Sequence, residues 1–320
     1  MNNQNNTPLL RINNLKKYFD TPKGKLHAVD GVNFTINIGD TLGIVGESGC
    51  GKSTLGRTVL RLLEPTEGEI YYKDENIVNY NKEKMKLLRQ QMQIIFQDPY
   101  SSLNPRLSVG QIIAEPMIVN KLYKNKFEMN KKIHELMETV GLAPRLINTY
   151  PHELDGGRRQ RIGVARALAT NPEFIVCDEP VSALDVSIQA QILNLMMDLQ
   201  EEKGLSYMFI THDLSVVKHI SNNIAVMYLG QCVEFAPTSE LFANPVHPYT
   251  KALLSAIPVI DITKRGMEPE LLQGEVTSPI NPPAGCRFAS RCKYVKAACR
   301  VENIELKKVG ENHLAACILA

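Results

Sequence analysis

The chain has 320 residues, enough for roughly two domains and a sizeable buried core. Its 36 Lys and Arg against 34 Asp and Glu give a net charge of +2, so no global basic field points to nucleic acid as a partner. Apolar residues make up 44% and charged residues 22%, which excludes a disordered chain, and no apolar run reaches the roughly 18 residues a membrane span needs. The polar segment 1–7 lacks the basic-then-apolar pattern of a signal peptide. The expected compartment is the cytosol, where thiols stay reduced.

In chain order, residues 32–38 alternate (Val32, Phe34, Ile36, Ile38) as a half-buried antiparallel strand does. Short apolar runs at 41–45, 93–96, 173–177, 206–210 and 224–227 predict buried strands. Helical periodicity follows most of them, over 52–63, 159–169, 188–202 and 214–220. This alternation predicts an α/β fold with a mostly parallel sheet covered on both faces, plus an antiparallel β add-on. Residues 98–155 are largely helical in pattern and interrupt the strand series, which predicts an inserted helical subdomain of about 98–160. The five lysines within 121–132 read as a solvated helix face. Two Pro-rich stretches, 244–248 and 278–285, divide the chain into an α/β unit over 8–240, a short helical bridge, and an extension completing 241–320.

The segment Gly46-Glu47-Ser48-Gly49-Cys50-Gly51-Lys52-Ser53 matches G-x-x-x-x-G-K-[ST], between an expected strand and an expected helix. Glycines let the backbone curl so that N–H groups face phosphates, and the helix N-terminus adds positive dipole. Lys52 is placed to reach the β- and γ-phosphates, and Ser53 offers Mg²⁺ a hydroxyl, with Thr54 supplying a second nearby. Residues 174–179 form an apolar strand ending in two acids. Asp178 is the expected Mg²⁺ partner, and Glu179 the group that orients and polarises the attacking water. His212 follows the strand 206–210, where ligands bind at carboxyl ends, and is expected to reach a γ-phosphate. Gln97, after another strand, offers an amide oxygen to Mg²⁺ and water.

Taken in this order, with Leu154-Asp155-Gly156-Gly157-Arg158-Arg159-Gln160-Arg161 and Ser182-Ala183-Leu184-Asp185, these residues resemble the nucleotide-binding subunit of an ABC transporter over about 8–240. The resemblance is closer still to the oligopeptide/dipeptide importer ATPases. It is carried by Asp98-Pro99-Tyr100-Ser101-Ser102-Leu103-Asn104-Pro105, by residues 244–254, and by Gly285-Cys286-Arg287-Phe288 with Arg291-Cys292. It implies a P-loop NTPase fold with a small cysteine-bearing C-terminal extension, and hydrolysis of ATP with Mg²⁺. It also implies two such subunits head to tail, each ATP sandwiched between the phosphate loop of one and the Gly-Gly helix start of the other. Further implied partners are two transmembrane permease subunits and an extracytoplasmic peptide-binding protein, with the chain on the cytoplasmic face of the membrane. By resemblance Phe19 (or Tyr18) stacks on adenine, Asp185 bridges the two subunits, and the segment around 97–105 touches the permeases.

The family's usual Leu-Ser-Gly-Gly-Gln segment is altered here: Asp155 stands for Ser and Arg158 for Gln. An ionised aspartate cannot donate to a γ-phosphate and adds charge beside it, a repulsion Arg158 partly offsets. This predicts a heterodimer in which the partner's ATP site is weakened while this chain's own residues are intact. Four of the seven cysteines, Cys286, Cys292, Cys299 and Cys317, lie in the tail within a local charge of +4. They could hold Zn²⁺ or a [4Fe–4S] cluster, although no C-x-x-C is present. The family tail's association with an iron–sulfur cluster favours the latter, and free thiols are the alternative. Competing readings are a soluble, non-transport ABC-type ATPase and import of nickel or another solute.

Overall fold

The computed structural model describes residues 7–257 and 277–320. Residues 1–6 and the part of the expected extension at 258–276 lie outside the described residues. The chain forms two compact units, one of 38–40 and 79–209 and another of 7–37, 41–78 and 210 onward.

The second unit opens on an antiparallel hairpin of two long strands, β1 (Pro8–Thr21) and β2 (Gly24–Asn37). The alternation read in 32–38 is the latter half of β2, with Val32, Phe34 and Ile36 buried. β1 carries no clean period of two, because register shifts around Asn14 (φ 46°) interrupt its pairing with both neighbours. β3 (Thr41–Val45) is buried at every residue and leads through the phosphate loop into α1 (Lys52–Val59). The helix stops short of the expected 63. Arg61 turns left-handed (φ 50°), and its guanidinium bonds Ile77 O at 2.8 Å and Glu64. β4 (Glu67–Tyr72) and β5 (Glu75–Asn76) then complete a sheet in the order β2-β1-β4-β5.

The first unit contains α2 (Lys82–Gln91), β6 (Met92–Ile95), α3 (Val109–Val119), α4 (Lys126–Thr139), α5 (Gly156–Leu168), β7 (Phe174–Asp178), α6 (Val186–Lys203) and β8 (Ser206–Ile210). Its strands run in the order β8-β7-β6, and β6 and β7 pair in parallel. β7 and β8 are buried at every position, as strands covered on both faces must be. Helix starts are set by side chains that accept first-turn amides: Asn81 for α2, Asp155 for α5, Asp185 for α6.

Back in the second unit, α7 (Leu214–Ile220) begins at Asp213, which accepts Ser215 N–H at 2.7 Å. β9 (Asn223–Tyr228) pairs parallel to β3, and β10 (Gln231–Pro237) antiparallel to β9. After α8 (Thr238–Ala243) and α9 (Pro248–Ser255), the tail adds β11 (Lys307–Gly310) and β12 (His313–Ala315), so the order runs β11-β12-β10-β9-β3.

One carboxylate fastens the tail to this sheet. Glu234 of β10 has 0% exposure and accepts Val246 N–H at 2.8 Å and His247 N–H at 2.9 Å, while His313 Nε2 of β12 lies 2.7 Å away. His247 is itself buried, accepts Tyr249 N–H on Nδ1 at 3.1 Å and so starts α9. Burial pushes the His247 imidazole down to about 4.

Removing the shared acceptor of a buried hydrogen-bond network leaves its donors unsatisfied, at about 1–3 kcal/mol for each group. Glu234→Ala should therefore lower the unfolding free energy by about 3 kcal/mol in urea denaturation, whereas Glu67→Ala, at an exposed pair with Lys16, should cost about 1 kcal/mol or less. In the unfolded chain His247 takes up a proton below its ordinary value of about 6.5, and in the fold only near 4. Its contribution is therefore complete above pH 6.5 and is lost as pH falls toward 4, by about 3 kcal/mol in all. His247→Asn, which keeps an acceptor for the α9 start, should flatten the stability–pH slope across that window.

Candidate nucleotide-binding site

The phosphate loop lies between β3 and α1 in the second unit. Gly51 (φ 103°) precedes the helix without a side-chain cap, at the helix end that favours an anion. Any Cβ at Gly51 would sit 1.9 Å from Ala28 O, and at Gly46 (φ 153°) 2.2 Å from Met227 O. Only glycine permits this curl. Lys52 is 4% exposed, and its Nζ donates to Gly46 O at 2.8 Å and Glu47 O at 2.9 Å, which holds the ammonium inside the loop. Cys50 is buried in the loop, and burial pushes its thiol up. Ser48 and Gly49 complete the turn, and Ser53 and Thr54 occupy the first turn of α1.

Two other expected groups share this unit. Thr211 N–H donates to Ile44 O at 3.1 Å, which brings the exposed His212 segment to the carboxyl end of β3, two residues before Gly46. On β1, Phe19 is half-buried with Lys17 Nζ 4.9 Å from its ring centre. Tyr18 is differently employed: its ring stacks on His27 at 4.0 Å, and its hydroxyl donates to Asp30.

The remaining expected residues belong to the first unit. Asp178 ends β7 and is 2% exposed. Glu179 follows with φ 49°, a left-handed conformation rare for a non-glycine residue, its carbonyl accepting Ser182 Oγ–H at 3.1 Å. Gln97 Nε2 donates to Glu179 Oε2 at 3.0 Å, so two residues 82 apart in sequence meet. Asp155 caps α5 by accepting Arg158 N–H at 2.8 Å, and Arg158 Nε lies 3.4 Å from the same carboxylate. Gly156 and Gly157 form the helix start, where a Cβ on Gly157 would meet Ile188 at 2.7 Å. Asp185 accepts Ile188 N–H at 3.0 Å and Ser187 Oγ–H at 2.7 Å, and these bonds hold its carboxyl below the usual range. The segment after Gln97 is held by α5: Arg159 stacks 3.7 Å from the Tyr100 ring centre, and Arg166 Nη1 donates to Ser102 O at 2.6 Å.

The four tail cysteines line one cavity of about 20 Å³, together with Phe288, Ile304 and Ile318. Among the described residues, no group of three or more His, Cys, Asp or Glu side chains is placed to hold a metal ion. The expected zinc or [4Fe–4S] site therefore finds no support in this arrangement. The cavity has room for little more than a water molecule. Burial pushes the Cys286 thiol up to about 11 and raises Cys292 as well. In this tail the arginines beside the cysteines make the contacts that the sequence did not announce. Arg287 bonds Asp30 and Leu229 O, and Arg291 reaches Glu47 of the phosphate loop at 2.8 and 3.1 Å. Tyr249 of α9 also reaches that loop, accepting Glu47 N–H at 2.9 Å. No local signal links residues 244 apart, and only their position within the Cys-Arg-Phe and Arg-Cys groups hinted at a role.

No helix among the described residues is long and apolar enough to cross a membrane. Two family models match: the ABC transporter family over residues 29–182, and the oligopeptide/dipeptide transporter C-terminal region over residues 233–299. The chain is 51% identical over 326 aligned residues to the oligopeptide transport ATP-binding protein AppF of Bacillus subtilis, covering 98% of each. It is 49% identical to the dipeptide transport ATP-binding protein DppF of Escherichia coli, covering 97% of this chain and 94% of that one. Among solved structures, the ATP-binding cassette MJ0796 in a post-hydrolysis state with ADP and Pi aligns with a TM-score of 0.66 at 29% identity, over 72% of this chain and 98% of that one. A phosphate loop cradled by glycines, an acid pair closing β7 and a likeness that runs through the tail as well as the ATPase region lead to one conclusion: the chain is an ABC-type ATPase belonging to the oligopeptide/dipeptide transport ATP-binding family.

Proposed function

We propose that this ATPase energises uptake of oligopeptides or dipeptides from the cytoplasmic face of the membrane. It works with two transmembrane permease subunits, an extracytoplasmic peptide-binding protein and a second, non-identical ATPase subunit. The observation that carries the substrate class is the likeness to peptide-transport ATP-binding proteins through the extension as well as the ATPase region of 8–240. A soluble ABC-type ATPase would have no need of that extension. Permease docking is supported by an open groove of about 540 Å³ beside α3 and α4, lined by Ala114, Ile118, Val119 and Ile133, with Ile118 and Val119 more than half exposed.

The roles follow from chemistry. Phe19 takes the adenine ring, and the amides of 46–54 with Lys52 take the phosphates. Ser53, Gln97 and Asp178 each offer the oxygen that a hard divalent cation takes, and Mg²⁺ held by them would supply charge that offsets what develops on the phosphates. Glu179, already bonded to Gln97, is the base that orients and polarises water, and His212 donates toward the γ-phosphate. Asp185 and the exposed Val186 beside it face the second subunit.

In the assembled transporter, a peptide-loaded binding protein should stimulate phosphate release, and Glu179→Gln should cut kcat by about 10²-fold or more while leaving ATP binding in place. Stimulation by a nickel chelate instead of peptide would overturn the substrate reading. The altered 155–158 segment makes a separate prediction. Asp155 keeps the helix start capped while presenting a carboxylate where the family has a hydroxyl. Asp155→Ser with Arg158→Gln should raise ATP turnover at the site holding the partner's nucleotide, and an unchanged rate in a complex whose own-site Glu179 is replaced would reject the asymmetry.

A further inference from the structure

Glu47 occupies the first variable position of the phosphate loop, and all of its polar groups are engaged. Its carbonyl accepts Lys52 Nζ–H at 2.9 Å, its N–H donates to the Tyr249 hydroxyl at 2.9 Å, and both carboxylate oxygens accept from Arg291, at 2.8 and 3.1 Å. Two of these three partners come from outside the ATPase region, Tyr249 from α9 and Arg291 from the cysteine-bearing tail. Arg291 is an unusual residue to find here. Its side chain is only 6% exposed, and its Nε is buried without a hydrogen-bond partner. Burying a guanidinium in this way is unfavourable unless its partner is well placed, and Glu47 is that partner. Arg291 Nη1 also lies 3.4 Å from the hydroxyl of Tyr228, whose ring packs edge-on against Tyr249 and Phe288. The guanidinium is thus held by contacts within this chain.

The charge arrangement gives this contact a consequence for ATP. A carboxylate at residue 47 sits one residue from Gly46, on a loop built to receive a triphosphate. Uncompensated, it would repel the phosphates; paired in a fork with a guanidinium, it is neutralised and held back.

We propose that Arg291 is a positioning residue of the nucleotide site: the C-terminal extension neutralises and orients Glu47 of the phosphate loop, and thereby sets the affinity of the chain for ATP. The extension is then part of the ATP site's scaffold as well as a family appendage. Arg287 reinforces the same arrangement from the neighbouring turn, joining Asp30 beside Tyr18 on the adenine-side hairpin. The proposal rests on the phosphate loop binding ATP, which the affinity of the unmodified chain checks separately from the variants.

Calorimetric titration of the full-length chain with ATP and Mg²⁺ tests it. Arg291→Ala should raise the Kd for ATP about tenfold, as loss of one charge-assisted contact does, and in the assembled transporter should raise KM for ATP while kcat changes less than about twofold. Arg291→Lys, which keeps charge without the fork, should fall between. Glu47→Gln placed in the Arg291→Ala chain should return Kd to within about threefold of the unmodified value, because the repelling charge is gone. A merely structural brace would not be rescued this way. Should Arg291→Ala fail to fold, Glu47→Gln alone decides: it should bind ATP at least as tightly as the unmodified chain. An unchanged Kd in Arg291→Ala, a double variant as weak as the single, or weaker binding by Glu47→Gln alone would each overturn the proposal.

Discussion

A carboxylate removed from water must be fully hydrogen-bonded or paired, and Glu234 meets that requirement with two backbone amides and an imidazole. Much of the second unit is arranged around it. The amides of Val246 and His247 turn the chain after α8 and aim α9. His313 brings the terminal strand β12 against β10. With α9 in place, Tyr249 meets Tyr228 and Phe288, and that aromatic cluster carries the Arg287 and Arg291 turns to the hairpin and the phosphate loop. A buried charge far from the loop in sequence therefore stands at the root of the loop's own support.

The acids of this chain show how one side chain serves structure and chemistry at once. Asp155 and Asp185 were singled out for contacts with nucleotide and partner, and each is also the N-cap of its helix. Ser and Asp rank together as caps, so exchanging one for the other at residue 155 keeps α5 intact while changing the charge presented at its start. Glu179 differs in kind. Its left-handed backbone is a conformation that the surrounding turn holds against intrinsic preference, and it places the carboxylate against Gln97.

The tail cysteines were expected to be the chemical centre of the extension, with the arginines beside them as background charge. In the structure the four thiols share a small apolar cavity, whereas Arg287 and Arg291 make the long-range ion pairs. Thiols in such surroundings pack as small hydrophobic groups. A buried guanidinium, by contrast, compels a partner, and both partners found here lie near the nucleotide site.

The sequence by itself determined the α/β class, the buried strands at β3, β7 and β8, and the phosphate loop, because each is a local matter: an uninterrupted apolar run, or glycines at a spacing that only a curled backbone uses. The acid pair and Gln97 were legible only beside the phosphate loop and the rest of the motif set, since such residues after a strand say little alone. The sequence did not disclose β1, whose bulges at Asn14 erase the period of two, nor the early end of α1, where Arg61 turns left-handed to reach Ile77. Above all it did not disclose that Glu47 is paired with Arg291, or that Glu234 joins β10 to His313. Those contacts span 244 and 79 residues, and they exist only because the fold buries a polar group and so obliges the chain to bring a partner to it.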